Sequence, residues 1–286
     1  MNRIAIALLA LCIAGSAQSQ PATPPEPIVI GNSLHLKSSA LGEDRTINVV
    51  LPASYWKETV KRFPVLYLID GGVDQDLLHV AGVLQLNSAW GRSSEAILVG
   101  IATKDRRREL TGVTHDPELL KKYPTAGSSA KFRAFIRDEV KPLVERSYRT
   151  NGYDAVIGES LAGLFILETY ADEPGLFDAY GAISPSLWWD KEALSKRVAP
   201  TLGSRQEGRR LYFAVADEGA EMRAADDRVA AALKAKARGW CFNVRNDLAH
   251  STIYQQLTPQ ALQFLLPPAE APPPEFGFEV QCSQRS

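Results

Sequence analysis

The sequence lacks an excess of charge of either sign. Its 286 residues include 32 Lys and Arg against 33 Asp and Glu, which gives a formal net charge of −1. Nucleic acids favour a basic partner surface, so this balance argues against a nucleic-acid ligand. Long hydrophobic runs are also missing: beyond residue 14, no stretch is long and apolar enough to cross a bilayer. We therefore predict neither nucleic-acid binding nor a membrane span.

The first 19 residues have the pattern of an export signal. Arg3 precedes an apolar run over residues 4–14, which is too short to span a membrane. Small residues follow at Gly15, Ser16 and Ala17, as in a secretory signal peptide that is cut near residues 17–19. We expect a periplasmic or secreted protein in which residues 20–30 form a flexible lead.

Cysteine is scarce, with three residues in the chain. Removal of a signal peptide would take away Cys12 and leave Cys241 and Cys282. Two cysteines in an exported protein predict one disulfide, which would pin a C-terminal tail, residues 268–286, to the body. Two free thiols are the alternative. Neither cysteine has the spacing of a metal site, so no metal is predicted.

Short apolar segments alternate with longer segments of helical periodicity. Predicted strands cover residues 46–52, 64–70, 95–102, 153–159, 179–184, 210–216 and 240–246, and predicted helices cover 129–148, 161–171, 221–239 and 258–266. Several strands are apolar throughout, as strands buried on both faces are. We expect a kink at Pro142 and an N-cap at Thr258. The pattern predicts an α/β fold with a mainly parallel, doubly wound sheet, in one domain over residues 31–267.

The segment YDAVIGESLAGLFIL, residues 153–167, places a serine between an apolar strand and an apolar helix. Its centre, GESLA, fits the nucleophile elbow, a sharp strand-to-helix turn that exposes a serine hydroxyl. Strand and helix pass closely there, so Gly158 is suitable, and Ala162 replaces the usual second glycine. We predict Ser160 to be a nucleophile, with a helix-capping serine as the alternative.

A serine nucleophile needs a base, and histidine suits that role near neutral pH. The chain has four histidines: His35, His79, His115 and His250. In this type of fold the order is serine, acid, histidine, and only His250 follows Ser160. We expect it in a loop after the last strand. The acid should follow the strand 210–216, with Glu218 as first choice, Asp217 as second and Glu221 as a distant third.

An oxyanion needs two N–H donors near the nucleophile. The N–H of Leu161, directly after the serine, is the first expected donor. The second should come from the loop in LIDGGVDQ, where Gly71 and Gly72 allow the backbone to approach a substrate closely. We assign the N–H of Gly72, with Val73 as the alternative; an ordinary glycine turn is the competing interpretation.

The succession of motifs resembles the esterase family of α/β-hydrolases. The motifs are VLYLIDGG, ILVGIATKDRRRELT, KFRAFIRDEVKPLVERSY, GESLAGLF and FDAYGAISPSLWWD, followed by a late histidine. The similarity covers roughly residues 30–266, and the branch of periplasmic trilactone-siderophore esterases is the most similar. The resemblance implies ester hydrolysis by Ser160 and His250 without a metal or organic cofactor. Where such enzymes cleave ferric siderophores, the iron belongs to the substrate.

Two groups of residues are predicted to bind the substrate. Arg106 and Arg108 follow the strand 95–102 and would attract an anionic substrate, with a solvated or ion-paired run as the alternative. Trp188 and Trp189 follow the strand 179–184 and would wall an aromatic or acyl pocket, with plain packing as the alternative.

Together these features predict a serine hydrolase that cleaves carboxylic esters through an acyl-enzyme. A siderophore lactone or another small ester is the expected substrate. The alternatives are an acyltransferase that uses the same site and a non-catalytic binding protein on a hydrolase scaffold. Ser184 and Ser186, in the segment ISPSLWW, are interpreted as turn residues.

Overall fold

The computed structural model describes residues 25–270, 273, 275 and 279–286. The chain divides into two units, Met1–Ile30 and Gly31–Ser286. In the first unit, residues 25–30 contain no helix or strand, and the predicted signal peptide lies outside the described residues. Among the residues that are described, no helix combines the length and the apolar character needed to cross a membrane.

The strands of the second unit form one sheet. They are β1 Asn32–Lys37, β2 Asp44–Val50, β3 Phe63–Ile69, β4 Ile97–Ile101, β5 Thr150–Glu159, β6 Ala179–Ile183, β7 Arg210–Ala216, β8 Trp240–Arg245 and β9 Gln284–Arg285. In the described part of the chain their order is β1-β2-β4-β3-β5-β6-β7-β8-β9. Strands β3 to β8 run parallel, while β1, β2 and β9 pair antiparallel. The predicted mainly parallel sheet is confirmed, and the edge strands β1 and β9 were not predicted.

Helices cover both faces of this sheet. They are α1 Leu77–Ala89, α2 Arg106–Leu110, α3 Pro117–Lys122, α4 Ser129–Phe135, α5 Lys141–Ser147, α6 Leu161–Asp172, α7 Trp189–Thr201, α8 Ala220–Lys236 and α9 His250–Leu265. Helices α1 and α9 pack on one face, and the core on the other face includes residues of α2 and α4 to α8. The flanking helices predicted on both faces are therefore present.

Strand β3 shows why the central strands are apolar throughout. Val65 and Tyr67 point into the core beneath α4 to α6, and Leu66 and Leu68 point into the core beneath α1 and α9. All four are at most 1% exposed. Each such side chain contributes about 1.5–3 kcal/mol of hydrophobic free energy, so burial on two faces demands a continuous apolar run.

The predicted helix 129–148 is interrupted by one wide turn. Residues Ile136–Val140 form a π-helical turn between α4 and α5, and the N–H of Lys141 bonds to the carbonyl of Ile136. Pro142 has no N–H to donate to the carbonyl four residues earlier, and the wide turn directly before it separates the two helices. The expected disturbance at Pro142 is thus a π-turn just before the proline.

The last predicted helix begins earlier than expected. Helix α9 starts at His250, whereas the predicted start is Thr258 and the histidine was expected in a loop. Pro259 lies inside the helix, and its carbonyl accepts a hydrogen bond from Nδ2 of Asn87 at 2.9 Å. Burial of Ile253 and Leu257 against the sheet, both fully buried, outweighs the bond that the proline removes.

The carboxyl ends of three neighbouring strands meet at one edge of the sheet. The register pairs Glu159 of β5 with Ile183 of β6, and Ile183 with Ala214 of β7. Each strand is followed at once by a polar segment, at Ser160, Ser184 and residues 217–218 respectively. Parallel sheets bind ligands at this edge, so these segments converge on a candidate site.

The other end of the chain completes the sheet. Cys241 of β8 is disulfide-bonded to Cys282, with the two Cα atoms 5.3 Å apart, as predicted. Directly after this bond, β9 pairs with β8 through Phe242 and Gln284. Residues 279–286, predicted only as part of a tail, therefore supply the outermost strand.

Candidate active site

Ser160 lies at a sharp turn between β5 and α6. Its backbone has φ 61° and ψ −119°, a conformation that is strained for a residue with a side chain. A Cβ atom on Gly158 would come within 2.6 Å of the Cβ of Ala162, so only glycine fits there. The methyl group of Ala162 is accommodated because Gly158, which lies opposite, has no side chain. These features match the predicted elbow.

His250 brings its imidazole to this serine. Its Nε2 lies 3.1 Å from Oγ of Ser160. Its side chain is 43% exposed, so one part of the ring faces solvent while the other faces the serine. The position at the start of α9, directly after the loop that follows β8, places the ring at the carboxyl edge of the sheet. The pair can transfer the hydroxyl proton to the imidazole.

Glu218 meets the other side of the ring. Its Oε2 lies 3.1 Å from Nδ1 of His250. Asp217 is exposed, and so is Glu221 in the first turn of α8. In the described residues these two neighbours make no hydrogen bond to the imidazole. Of the three carboxylates considered from the sequence, Glu218 is the one in contact with His250.

The contact between Glu218 and His250 changes the pKa of both groups. The hydrogen bond that His250 donates to Glu218 raises the pKa of His250 above 6.5, against the opposing effect of burial. Burial by itself would raise the pKa of Glu218, but hydrogen bonds from His250 and Ser184 lower it below 4.5. Glu218 is therefore ionised at neutral pH, and its charge makes the imidazole of His250 more basic than a free one.

Two serines that the sequence analysis interpreted as turn residues are part of this cluster. Oγ of Ser184 contacts Oε1 of Glu218 and lies 3.1 Å from Nδ1 of His250. Oγ of Ser186 lies 3.2 Å from Oγ of Ser160. Both serines are at most 3% exposed. Their turn positions are as expected, but their side chains face the site, which no pattern in ISPSLWW indicated.

The two predicted oxyanion donors differ in their surroundings. Leu161 is the first residue of α6, where the backbone N–H has no partner within the helix. The N–H of Gly72 donates to Oε1 of Gln75 at 2.9 Å, so it is already engaged. In the described part of the chain, the N–H of Val73 makes no hydrogen bond. Gly72 can serve an oxyanion only by exchanging that acceptor.

Gln75 ties this loop to the end of β4. Its Nε2 donates to the carbonyl and to Oγ1 of Thr103, at 3.1 and 3.0 Å. Thr103 in turn donates to Asp70, which has φ 60° at the end of β3. Arg106 donates a hydrogen bond from Nε to Oδ2 of Asp70 at 2.9 Å, and a terminal nitrogen forms an ion pair with the same oxygen at 2.8 Å. The predicted substrate-binding Arg106 is thus neutralised by a buried carboxylate.

Further acidic groups lie close to this network. Burial raises the pKa of Glu159 to about 7, and the charge of Asp76 adds to the rise. Burial likewise raises the pKa of Asp76 to about 6, together with the charge of Asp70. The positive charges of Arg106 and His250 oppose the rise at Glu159. The wall beside the nucleophile therefore gains negative charge between about pH 6 and 7.

Arg108, which the sequence predicted to bind the substrate, is engaged in two ion pairs. Its guanidinium donates to Glu43 at 2.7 Å and to Glu109 at 2.8 Å. Glu109 is 1% exposed and also pairs with Arg45, whose side chain is fully buried. This arrangement corresponds to the ion-paired alternative for Arg108, because buried charges require such partners.

The two tryptophans have different environments. Trp189 is 5% exposed and packs against Tyr123 and Trp188, with ring centroids 6.0 and 5.7 Å apart. Trp188 is 41% exposed. The guanidinium of Arg107 lies 4.6 Å from the ring centroid of Tyr123 and 5.9 Å from that of Trp188. Packing therefore explains Trp189, whereas Trp188, Arg107 and Tyr123 form a partly open platform.

Two other candidate features lie outside this cluster. A surface cavity of about 560 Å³ is lined by residues of the π-helical turn, of α5 and of the segment after α6, including Arg137 and Lys141, and it contains no predicted site residue. Lys141 is paired with Asp154 at 2.7 Å and Arg137 with Asp138 at 2.8 Å, so both cations already have acidic partners. Among the described residues, no group of three His, Cys, Asp or Glu side chains could hold a metal ion.

Comparison with known proteins gives consistent matches. A family model described as "Putative esterase" matches residues 38–254, which is more than half of the chain. The ferri-bacillibactin esterase BesA of Bacillus subtilis is 28% identical over 187 residues, which is 59% of this chain and 63% of that protein. A siderophore triacetylfusarinine C esterase of Aspergillus fumigatus is 26% identical over 190 residues, 58% of this chain and 60% of that protein. The chain thus spans less than two thirds of either relative.

Among solved structures, an IroE-like serine hydrolase from Shewanella oneidensis superimposes with a TM-score of 0.75. It is 25% identical and the match covers 82% of this chain and 80% of that one. The sheet order, the turn at Ser160 and the family match agree with one another. The chain has the α/β-hydrolase fold and belongs to this esterase family.

Proposed function

We propose that the protein is a serine hydrolase that cleaves carboxylic esters through an acyl-enzyme. The observation that carries the proposal is the 3.1 Å contact between Oγ of Ser160, on a strained turn, and Nε2 of His250. Membership of the esterase family and the similarity to two siderophore esterases support it.

In the first step, Oγ of Ser160 attacks the ester carbonyl carbon while Nε2 of His250 takes the hydroxyl proton. Glu218 stabilises the imidazolium that forms, because its carboxylate contacts Nδ1. The C–O bond to the leaving alcohol then breaks, and the imidazolium returns the proton to that oxygen. In the second step, water loses a proton to His250 and attacks the acyl carbon. The bond between that carbon and Oγ of Ser160 then breaks and the imidazolium returns the proton to Oγ, which releases the carboxylic acid and restores Ser160.

The negative oxygen of each tetrahedral intermediate needs N–H donors. The N–H of Leu161 is the first donor in this proposal, since it heads α6 beside the nucleophile. The loop after β3 supplies the second, through Gly72 once Gln75 gives up its hydrogen bond, or through Val73. The glycine pair suits this place: a Cβ on Gly71 would lie 2.2 Å from the backbone of Gly100.

For the substrate we propose a siderophore ester with aromatic acyl groups. The names of the two relatives give the class of ester, and the platform of Trp188, Arg107 and Tyr123 supports the aromatic part. A planar, electron-rich ring can stack on an exposed indole and interact with a guanidinium. Any iron would enter with the substrate.

We also propose that the protein is exported. The N-terminal sequence pattern and the disulfide between Cys241 and Cys282 support an oxidising compartment. Fractionation of cells that express the full chain, followed by N-terminal sequencing, tests this proposal. Protein that stays in the cytoplasm with its first residues intact would contradict it.

A fluorophosphonate probe tests the nucleophile. We expect the protein to be labelled, mass spectrometry to find the label on the peptide with Ser160, and Ser160→Ala to abolish the labelling. Ser195→Ala is the control, because Ser195 is a buried serine outside this cluster that donates to the carbonyl of Glu192 on α7. Folded wild-type protein that is not labelled would overturn the proposal.

The substrate class needs its own comparison. A catecholate trilactone, with and without ferric iron, is compared with p-nitrophenyl acetate for wild type, Trp188→Ala and Trp56→Ala. Trp56 is 77% exposed and precedes β3, at the opposite edge of the sheet. We expect Trp188→Ala to lower kcat/KM for the trilactone about 10-fold and to spare the acetate. Equal losses on both esters would argue against the platform.

A further inference from the structure

Ser184 has a position that the proposed reaction does not by itself explain. It follows β6 with φ 43°, a left-handed conformation that is uncommon for serine, and it is 1% exposed. Its N–H donates to the carbonyl of Ala214 in β7 at 2.7 Å. A Cβ on Gly163 would lie 2.9 Å from the carbonyl oxygen of Ile183, so α6 also presses on this segment. The backbone at Ser184 is therefore held from two sides, by β7 and by α6.

The hydroxyl of Ser184 has two neighbours and one proton. Oε1 of Glu218 is an ionised carboxylate oxygen, which can only accept, so the hydroxyl proton must point to it. A lone pair of the same Oγ then faces Nδ1 of His250, 3.1 Å away. Two lone pairs facing each other would repel, so Nδ1 must carry a proton.

A second oxygen near Nδ1, from Glu218, also requires a proton on Nδ1. Oε2 of Glu218 also lies 3.1 Å from Nδ1, so the Nδ1–H is shared between two oxygens. With the proton on Nδ1, the neutral ring has a free lone pair on Nε2. That lone pair faces the hydroxyl of Ser160, which is the tautomer that proton abstraction requires.

We propose that Ser184 is a positioning residue. Its single hydroxyl contacts both the Glu218 carboxylate and the His250 imidazole and fixes their orientation relative to each other. It does not touch the substrate; it fixes the orientation of the acid and adds an acceptor for Nδ1–H. The inference rests on the proposed function, because it assigns Ser184 a part in the same reaction.

The test measures the imidazole directly, without a substrate. The ¹⁵N resonances of His250 are assigned with His250→Gln and titrated in wild type, Ser184→Ala, Ser184→Gly and the control Ser195→Ala. Loss of an acceptor and of a fixed carboxylate should lower the pKa of His250 by roughly half a unit in both Ser184 variants. Glycine relieves the left-handed backbone, so Ser184→Gly remains informative if Ser184→Ala does not fold. The other charges that act on His250, those of Glu159 and Arg106, are unchanged.

A kinetic cycle separates positioning from general destabilisation. We expect Ser184→Ala to slow fluorophosphonate labelling about 10-fold when it is the only substitution. In a Glu218→Gln background the further loss should be less than about 3-fold, because Ser184 acts by orienting Glu218. An unchanged His250 titration in both Ser184 variants, or equal losses in the two backgrounds, would overturn the inference. If wild-type protein does not react at all, the proposed function fails, and the titration still decides the role of Ser184.

Discussion

Nδ1 of His250 lies 3.1 Å from Oε2 of Glu218, while the adjacent Asp217 is exposed and directs its N–H to the carbonyl of Leu248. The backbone after β7 thus turns the carboxylate of Glu218 toward the imidazole and that of the preceding Asp217 toward solvent. This difference makes a matched pair of variants available.

Glu218→Gln should lower kcat/KM by about 10²–10⁴-fold, because an amide can present an N–H to Nδ1 and favour the wrong tautomer. Asp217→Asn should stay within about 3-fold of wild type. The measurement is steady-state hydrolysis of p-nitrophenyl acetate by both variants. A large loss in Asp217→Asn with little loss in Glu218→Gln would reverse the assignment.

The pH profile should follow His250. The base must be neutral to accept a proton, so kcat/KM rises with pH through the pKa of His250, which Glu218 holds above 6.5. Removal of the carboxylate charge in Glu218→Gln should move this acidic limb to lower pH. Profiles from pH 5 to 9 test this; a limb that stays in place would show that another group controls the rate.

Gly158→Ala should destabilise the elbow. The new methyl group would lie 2.6 Å from Cβ of Ala162 and 3.2 Å from Cδ1 of Ile166, so β5 and α6 would have to separate. We expect a loss of about 1–3 kcal/mol in the free energy of unfolding, measured in urea, together with reduced labelling of Ser160. Gly175→Ala is the control, since a Cβ there meets no atom within 4 Å. Equal stabilities of the two variants would contradict the close packing.

The disulfide should stabilise the folded state substantially. It joins residues 41 positions apart, and a loop of this size predicts about 4 kcal/mol from the restricted unfolded chain. The double variant Cys241→Ala, Cys282→Ala should therefore unfold at lower urea concentration. Reductant should lower the midpoint of wild type to a similar degree and leave the double variant unchanged. A midpoint of wild type that does not respond to reductant would contradict the prediction.

Asp226 should make stability depend on pH. It is 2% exposed on α8, its Oδ1 has no hydrogen-bond partner among the described residues, and burial raises its pKa to about 8. The folded state then holds a proton that the unfolded state, with a pKa of about 3.9, has lost. Stability should therefore fall as pH rises from about 4 to 8, by roughly 5 kcal/mol in total.

Asp226→Asn removes this titration, so we expect it to be more stable than wild type at pH 8 and to differ little at pH 4. Urea unfolding at both pH values measures the effect. The neighbouring Asp227→Asn is the control, because Asp227 is exposed on the same helix. A destabilised Asp226→Asn at pH 8 would mean that the ionised carboxylate is needed.

Local patterns predicted the central strands well because burial on two faces leaves a strong apolar signal. Strand β1, NSLHLK, alternates between exposed and half-buried residues, and its place at the sheet edge gives it no such signal. Strand β9 has two residues, which are too few to form a strand pattern, and it lies beside the disulfide. The start of α9 was wrong because Pro259 was interpreted as a helix start, whereas packing on the sheet maintains the helix through it.

Some contacts among the polar side chains of the site were predictable from the sequence, and others were not. The proximity of Ser160, His250 and Glu218 was predictable from chain order and from the turn that surrounds the serine. The contacts of Ser184 and Gln75 depend on the register between neighbouring strands and loops, which a single sequence does not contain. The ion pair that engages Arg108 likewise joins positions 65 residues apart, Glu43 and Arg108.

The short strand β9 has a consequence for association between molecules. Without it, β8 would present a row of unpaired N–H and C=O groups at the sheet edge, which is a template for a strand from another chain. The pairing of Phe242 with Gln284, and the hydrogen bond from the N–H of Val244 to Oγ of Ser283, occupy that row. A reducing environment would therefore expose the protein to edge-to-edge aggregation as well as weaken it.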